Sequence, residues 1–295
     1  MIRFGGPIFG SSKKAAGAGE SHGAIGFDPV ALARAHKAKG YTAAYAPQVK
    51  LDDKDGIKAI RAAFAAEGVM IAEVGYWDNL VDTDPETRGR NRQCMLNAMT
   101  LAEELGAACA VDVFGSYCHG NGSSQHAARN FSAEAFDEAV EMARYFIDTV
   151  KPKHACFTYE IFPFNVVDSP ASIAELIKAV DRKKFGVHLD LVNLINGPRA
   201  YWGSGDIMRE CVRLFGGRIV AAHAKDVRLK EPAISVILDE VIPGQGKLDI
   251  ATCVRELHKL PQAVPYMIEH LRSEEEYDQA AAHIRSVAAA EGIQI

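Results

Sequence analysis

The sequence holds no apolar run near the roughly 18 residues that a membrane span requires, so no membrane association is expected. Its start, Met-Ile-Arg-Phe-Gly-Gly-Pro, lacks the continuous apolar core of a signal peptide, and a cytoplasmic location is the expectation. Basic residues are in the minority: 33 lysines and arginines face 38 aspartates and glutamates, a net charge of −5. Bulk electrostatics therefore attracts no phosphate backbone, which argues against a nucleic-acid partner. Cysteine is sparse as well. The six, at positions 94, 109, 118, 156, 211 and 253, include no C-x-x-C pair, so neither a disulfide framework nor a zinc knuckle is expected.

What is present is alternation. Short β-branched or aromatic runs predict strands at Ile2–Phe9, Tyr41–Ala46, Val69–Tyr76, Ala108–Phe114, Ala155–Ile161, Phe185–Leu191, Ile219–Ala224 and Tyr266–Leu271. Segments with helical period lie between them, such as Phe136, Ala139, Val140, Ala143, Phe146 and Val150 on one face. Ser169-Pro170 reads as a helix start, and Gly40, Gly68, Gly106 and Gly216 as helix ends. Eight βα units in 295 residues, with no linker between them, predict an α/β fold: one (β/α)8 barrel, a TIM barrel, spanning residues 1–295 as a single domain. Connections after helices are short, whereas Gly10–Gly26, Gly115–Asn130, Leu191–Ser204 and Lys225–Lys247 make long loops after strands, on the face that carries chemistry in such barrels.

Four consecutive strands then close on metal-ligand residue types. The fifth ends at Glu160, the sixth at Asp190, the seventh at His223 and the eighth at Glu269. Period-two alternation sends Phe157, Tyr159, Val187, Leu189, Val220 and Ala222 outward and turns Glu160, Asp190 and His223 toward the axis. Three carboxylates converge there with one imidazole, and the carboxylates repel one another strongly, whereas a divalent cation neutralises most of that charge. Oxygen-rich ligation with one nitrogen favours Mn²⁺, with Mg²⁺ or Co²⁺ as alternatives, over zinc. His188, two residues before Asp190, reads as a core histidine.

These four residues resemble a known family through their surroundings: Tyr-Glu-Ile-Phe-Pro at 159–163, His-Leu-Asp-Leu-Val-Asn at 188–193, His-Ala-Lys-Asp at 223–226 and Pro-Gly-Gln-Gly-Lys-Leu-Asp at 243–249. Together they look like the xylose-isomerase-like TIM barrels, the sugar phosphate isomerase/epimerase group that includes ketose 3-epimerases. The resemblance implies that Glu160 and Glu269 both ligate the ion and exchange a substrate proton. It departs at Asn193, where those epimerases carry a histidine three residues after the aspartate.

Independently of the resemblance, proton removal beside a ketone leaves an enediolate, whose charge a Lewis acid stabilises, while carboxylates on two sides take and return the proton. Weaker candidates for contact with substrate are Glu73 after the third strand, His119 after the fourth, Asn193, Lys225 and Arg228; Trp77 is a cover for an apolar sugar face. The expected function is a metal-dependent isomerase or epimerase of a small-molecule ketose or related keto-sugar, in a homo-oligomer. The alternative is a lyase or dehydratase of a keto-sugar, keto-inositol or 3-oxo-glycoside, with His119 as its acid or base. An abasic-site endonuclease needs more histidines and a more basic chain, and a metal-free binding protein is the remaining class.

Overall fold

The computed structural model describes residues 1–9, 28–120 and 125–295. The predicted loop Gly10–Gly26 and part of Gly115–Asn130 lie outside them. In chain order the elements are β1 (Ile2–Gly5), α1 (Pro29–Ala38), β2 (Ala43–Ala44), α2 (Lys54–Glu67), β3 (Met70–Ile71), β4 (Glu73–Gly75), α3 (Pro85–Leu105), β5 (Cys109–Asp112), α4 (Ala133–Val150), β6 (Cys156–Tyr159), α5 (Pro170–Val180), β7 (Val187–Asp190), α6 (Pro198–Trp202), α7 (Ser204–Phe215), β8 (Ile219–Ala224), β9 (Asp226–Leu229), β10 (Leu238–Val241), α8 (Ile250–His258), β11 (Val264–Ile268) and α9 (Glu274–Ala290). β3 and β4 are two pieces of one barrel strand. With that pairing the eight predicted strands are all present, most of them trimmed at their ends.

The strands run parallel around a ring, β1 beside both β2 and β11, and β11 beside β8, which lies beside β7. β4, β5 and β6 continue it, and single bridges at Phe157↔Phe185 and Glu160↔His188 join β6 to β7. The result is a (β/α)8 barrel. Local chemistry starts and stops its helices as the sequence implies: Asp28 accepts the Ala31 N–H ahead of Pro29, and Ser169 forms a capping box with Ser172. Gly68 and Gly106 take the left-handed conformation that closes α2 and α3. Gly216 is different. It keeps a right-handed φ of −52°, and a β-carbon there would press on Leu260, so its missing side chain serves packing instead.

Outward-facing Phe157, Tyr159, Val187, Leu189 and Ala222 join Phe146 and Leu176 of the helices in the main core. Val220 departs from the predicted alternation. A register shift lets Val187 pair with Ile219 and His188 with Ala221, so Val220 is the extra residue of a bulge and packs with Ala221 against the interior cluster of Cys109 and Val111. The bulge leaves Asp190 directly beside His223.

The segment after β8 forms the antiparallel hairpin β9–β10, with Asp239 opposite Arg228. Its base is bound to the barrel, while Ile234, Val236 and Ile237 near its tip are exposed. Buried Asp226 organises the base by accepting N–H groups from Val227, Gly244, Gly246 and Leu248 at 2.8, 2.9, 2.9 and 3.0 Å. Among the described residues no helix is long and apolar enough to cross a membrane.

Charge-assisted bonds of this kind contribute more than neutral ones, and removing the acceptor takes the partner from four N–H groups, one of them on buried Val227. Asp226→Ala is expected to lower unfolding stability by about 3 kcal/mol, read as a lower urea midpoint at unchanged slope. A midpoint equal to the parent's would show that water replaces the carboxylate.

Candidate functional site

Glu160 follows β6, Asp190 ends β7, His223 sits in β8 and Glu269 follows β11, so four neighbouring strands deliver their side chains to one point at the barrel's mouth. Ligand atoms of all four lie within 4.8 Å of one another, and all four residues are buried. His223 Nδ1 is 3.0 Å from Glu269 Oε2, 3.3 Å from Glu160 Oε1 and 3.6 Å from Asp190 Oδ2. Three of these atoms, Asp190 Oδ2, His223 Nδ1 and Glu269 Oε2, are buried with no directed hydrogen bond, despite ion-pair distances to their neighbours. Buried polar atoms are rarely left so. An oxygen-rich donor set aimed at one point, with its orphaned atoms on that point, fits a divalent cation.

Lys225 enters the same cluster. Its side chain is buried, and its ammonium lies 2.7 Å from Asp190 Oδ2 and 2.8 Å from Glu269 Oε2. Burial works against charge on both carboxylates, yet the ammonium and His223 hold Asp190 and Glu269 below the ordinary carboxylate range. His270 and Glu240 extend the network: His270 Nδ1 is 3.0 Å from Lys225 Nζ and 2.8 Å from Glu240 Oε2, which belongs to the hairpin. Neither residue was singled out from the sequence. His270 adjoins Glu269, and its positive φ of 60° is a backbone feature invisible in a string of letters.

Beneath the cluster lies a second layer. Glu73 Oε2 is 2.7 Å from His188 Nε2, and Glu73 Oε1 is 3.5 Å from His223 Nε2. Glu73 is 1% exposed, and its oxygens face the two imidazoles, one of them the far nitrogen of His223, whose Nδ1 faces the cluster. Burial would raise its pKa, but the two imidazoles bring it down to about 2. His188 is fully buried, as its core reading implied.

The remaining candidates separate by geometry. Asn193 donates to the Ile161 carbonyl at 2.9 Å and braces the loop after β6. Arg228 is exposed on β9 of the hairpin, opposite Asp239. His119 is 70% exposed and lies 3.0 Å from buried Asp82, with no contact to the cluster of four among the described residues. Trp77, read as a sugar cover, donates its indole N–H to Glu160 Oε2.

The sequence profile of the xylose isomerase-like TIM barrels matches residues 24–287. The chain belongs to the xylose isomerase-like TIM barrel family. Among curated protein sequences none matches. Solved structures with the same fold include a xylose isomerase-like TIM barrel protein from Mycobacterium smegmatis in complex with magnesium, at TM-score 0.64 and 17% identity, covering 88% of this chain and 87% of that one. D-psicose 3-epimerase from Clostridium cellulolyticum H10, solved with D-tagatose, aligns at TM-score 0.63 and 13% identity over 90% of this chain and 93% of its own. The 3-keto-D-glucoside 4-epimerase of E. coli aligns at 0.61 and 13% over 97% and 100%.

The depressed pKa of Glu73 has a pH signature in the metal-free protein. Its stabilising effect is complete above its ordinary value near 4.5 and is lost as the pH falls toward the folded value of about 2. Glu73→Gln is therefore expected to be less stable than the parent at pH 6 and to lose less further stability between pH 4.5 and 2. Parallel acid-loss curves for the two proteins would remove the Glu73 contribution.

Proposed function

We propose that this protein is a divalent-metal-dependent isomerase or epimerase that moves a proton on a ketose or related keto-sugar. The observation that carries the reading is the convergence of Glu160, Asp190, His223 and Glu269 on one buried point, with three of their atoms lacking directed hydrogen bonds. These four residues would hold the cation, Mn²⁺ by the chemistry of the donors, with Mg²⁺ or Co²⁺ as alternatives. When bound it supplies Lewis-acid polarisation of the substrate carbonyl and neutralises developing negative charge. The ketose and keto-glucoside epimerases that share the fold support the substrate class.

The chain's own residues do the rest. Glu160 and Glu269 follow strands separated by β7 and β8 around the ring, so they flank Asp190 and His223 from two sides. One takes the proton beside the carbonyl and the other returns it, each with one oxygen held by a neighbour: Glu160 Oε2 by Trp77 and Glu269 Oε2 by Lys225. Lys225 also places positive charge where substrate anion develops, and its burial excludes water from that contact. A lyase would begin with the same proton removal and then expel a substituent; exposed His119, paired with buried Asp82, offers it no acid at the cluster.

Metal analysis of protein purified without chelator tests the site. The parent is expected to carry one ion per chain, and Asp190→Asn and His223→Ala to carry little. Full occupancy in both variants would sink the ligand assignment.

Proton transfer is tested separately by following ketoses and 3-keto-glycosides in D2O by proton NMR. Glu160→Gln and Glu269→Gln keep an oxygen donor but cannot accept the proton, so each is expected to retain much of its metal while losing deuterium incorporation at the substrate carbon. Normal turnover by either variant would make that glutamate a ligand alone, and release of a leaving group by the parent would identify a lyase.

A further inference from the structure

Three observations meet at Trp77. Its backbone has φ 47°, a left-handed conformation that bulky residues rarely adopt. Its indole Nε1–H donates to Glu160 Oε2 at 2.5 Å. Its ring packs on the interior cluster of Cys109, Val111 and Ala221 and lies so close to Gly75 that a β-carbon there would overlap the six-membered ring. Glycine at 75 is thus what lets the indole lie flat across the end of its own strand.

The turn that carries Trp77 is held from outside the site. The Asp78 N–H donates to buried Asp112 Oδ1 at 2.9 Å. Asn79 accepts the Ser116 N–H at 3.0 Å and donates to the carbonyls of Cys118 and Gly120 at 3.0 and 3.1 Å. Strain at a single residue persists when its surroundings over-determine it, and strained residues concentrate at functional sites. Here the strained residue ends on a carboxylate of the candidate metal cluster.

We propose that Trp77 is a positioning residue for Glu160: its indole N–H fixes Oε2 and so aims Oε1 at the point that His223, Asp190 and Glu269 share. The inference rests on Glu160 being one of the two proton carriers. A glutamate carboxyl turns freely about its last bond, so without a fixed oxygen it samples orientations that cannot reach the substrate carbon. The donor is also neutral. Glu160 is held by an uncharged N–H, whereas Glu269 is held by the Lys225 ammonium, so the two carboxylates are steered by chemically different partners.

The chain has two tryptophans, and Trp202 is 67% exposed, so Trp202→Phe leaves one indole, that of Trp77. In ¹⁵N-labelled protein its Nε1–H resonance is expected well downfield of the free-indole position and slow to exchange with solvent, and to return upfield in Glu160→Ala. This readout needs neither metal nor turnover. Trp77→Phe keeps the apolar packing without the N–H; kcat is expected to fall about tenfold or more, with KM and bound metal within about twofold of the parent. If Trp77→Phe does not fold, Gly75→Ala displaces the ring and is expected to move the same resonance upfield.

A resonance at the free-indole position in the parent, or unchanged kcat in folded Trp77→Phe, would overturn the proposal. A free indole together with lost exchange in Glu160→Gln removes the clamp and leaves the proton-transfer reading standing. A shifted indole with normal exchange in Glu160→Gln does the reverse.

Discussion

Three carboxylates are buried against one imidazole at the mouth of the barrel, and the surrounding structure answers that concentration of charge. At an effective dielectric constant of about 20, two unit charges about 4 Å apart interact by about 4 kcal/mol, so Glu160, Asp190 and Glu269 could not share one point uncompensated. Compensation is layered. Lys225 places an ammonium between Asp190 and Glu269, Trp77 gives Glu160 a neutral donor, and Glu73 holds the histidine from below. Even so, Asp190 Oδ2, His223 Nδ1 and Glu269 Oε2 keep no directed hydrogen bond.

Backbone features far from the charges make this layering possible. The bulge at Val220 absorbs one residue between β7 and β8 and leaves Asp190 level with His223. The interior beneath is filled by small side chains, Cys109, Val111 and Ala221, on which the Trp77 ring rests. Asp226, three residues past His223, gathers four N–H groups and anchors the hairpin whose Glu240 reaches Lys225 and His270. A carboxylate in the barrel mouth and one in the loop beyond thus use opposite strategies, the first left with an orphaned oxygen and the second saturated by backbone donors.

The hairpin also separates two demands on one segment. Its base contributes to the site, whereas its tip carries exposed Ile234, Val236 and Ile237 into solvent. A two-stranded ribbon is marginal by itself, and it is the packing of Val227 and Leu238 against Val192 and Tyr201 that holds this one to the barrel.

The sequence by itself determined the barrel and the four convergent residues, because both are periodic properties. Strand and helix alternate along the chain, and alternation by twos places Glu160, Asp190 and His223 on one side of their strands whatever the tertiary detail. Local signals such as Asp28-Pro29 and Ser169-Pro170 needed no context either. Tertiary structure alone decided the partners. Glu73 binds His188 across 115 positions of chain, Trp77 reaches Glu160 across 83, and Lys225 meets His270 across 45, and no spacing rule spans such separations. Positive φ at Trp77 and His270, and the extra residue at Val220, were equally hidden, since each is a departure from the period that made the rest legible. A repeating pattern reports where side chains point; what they meet depends on how the ring of strands closes.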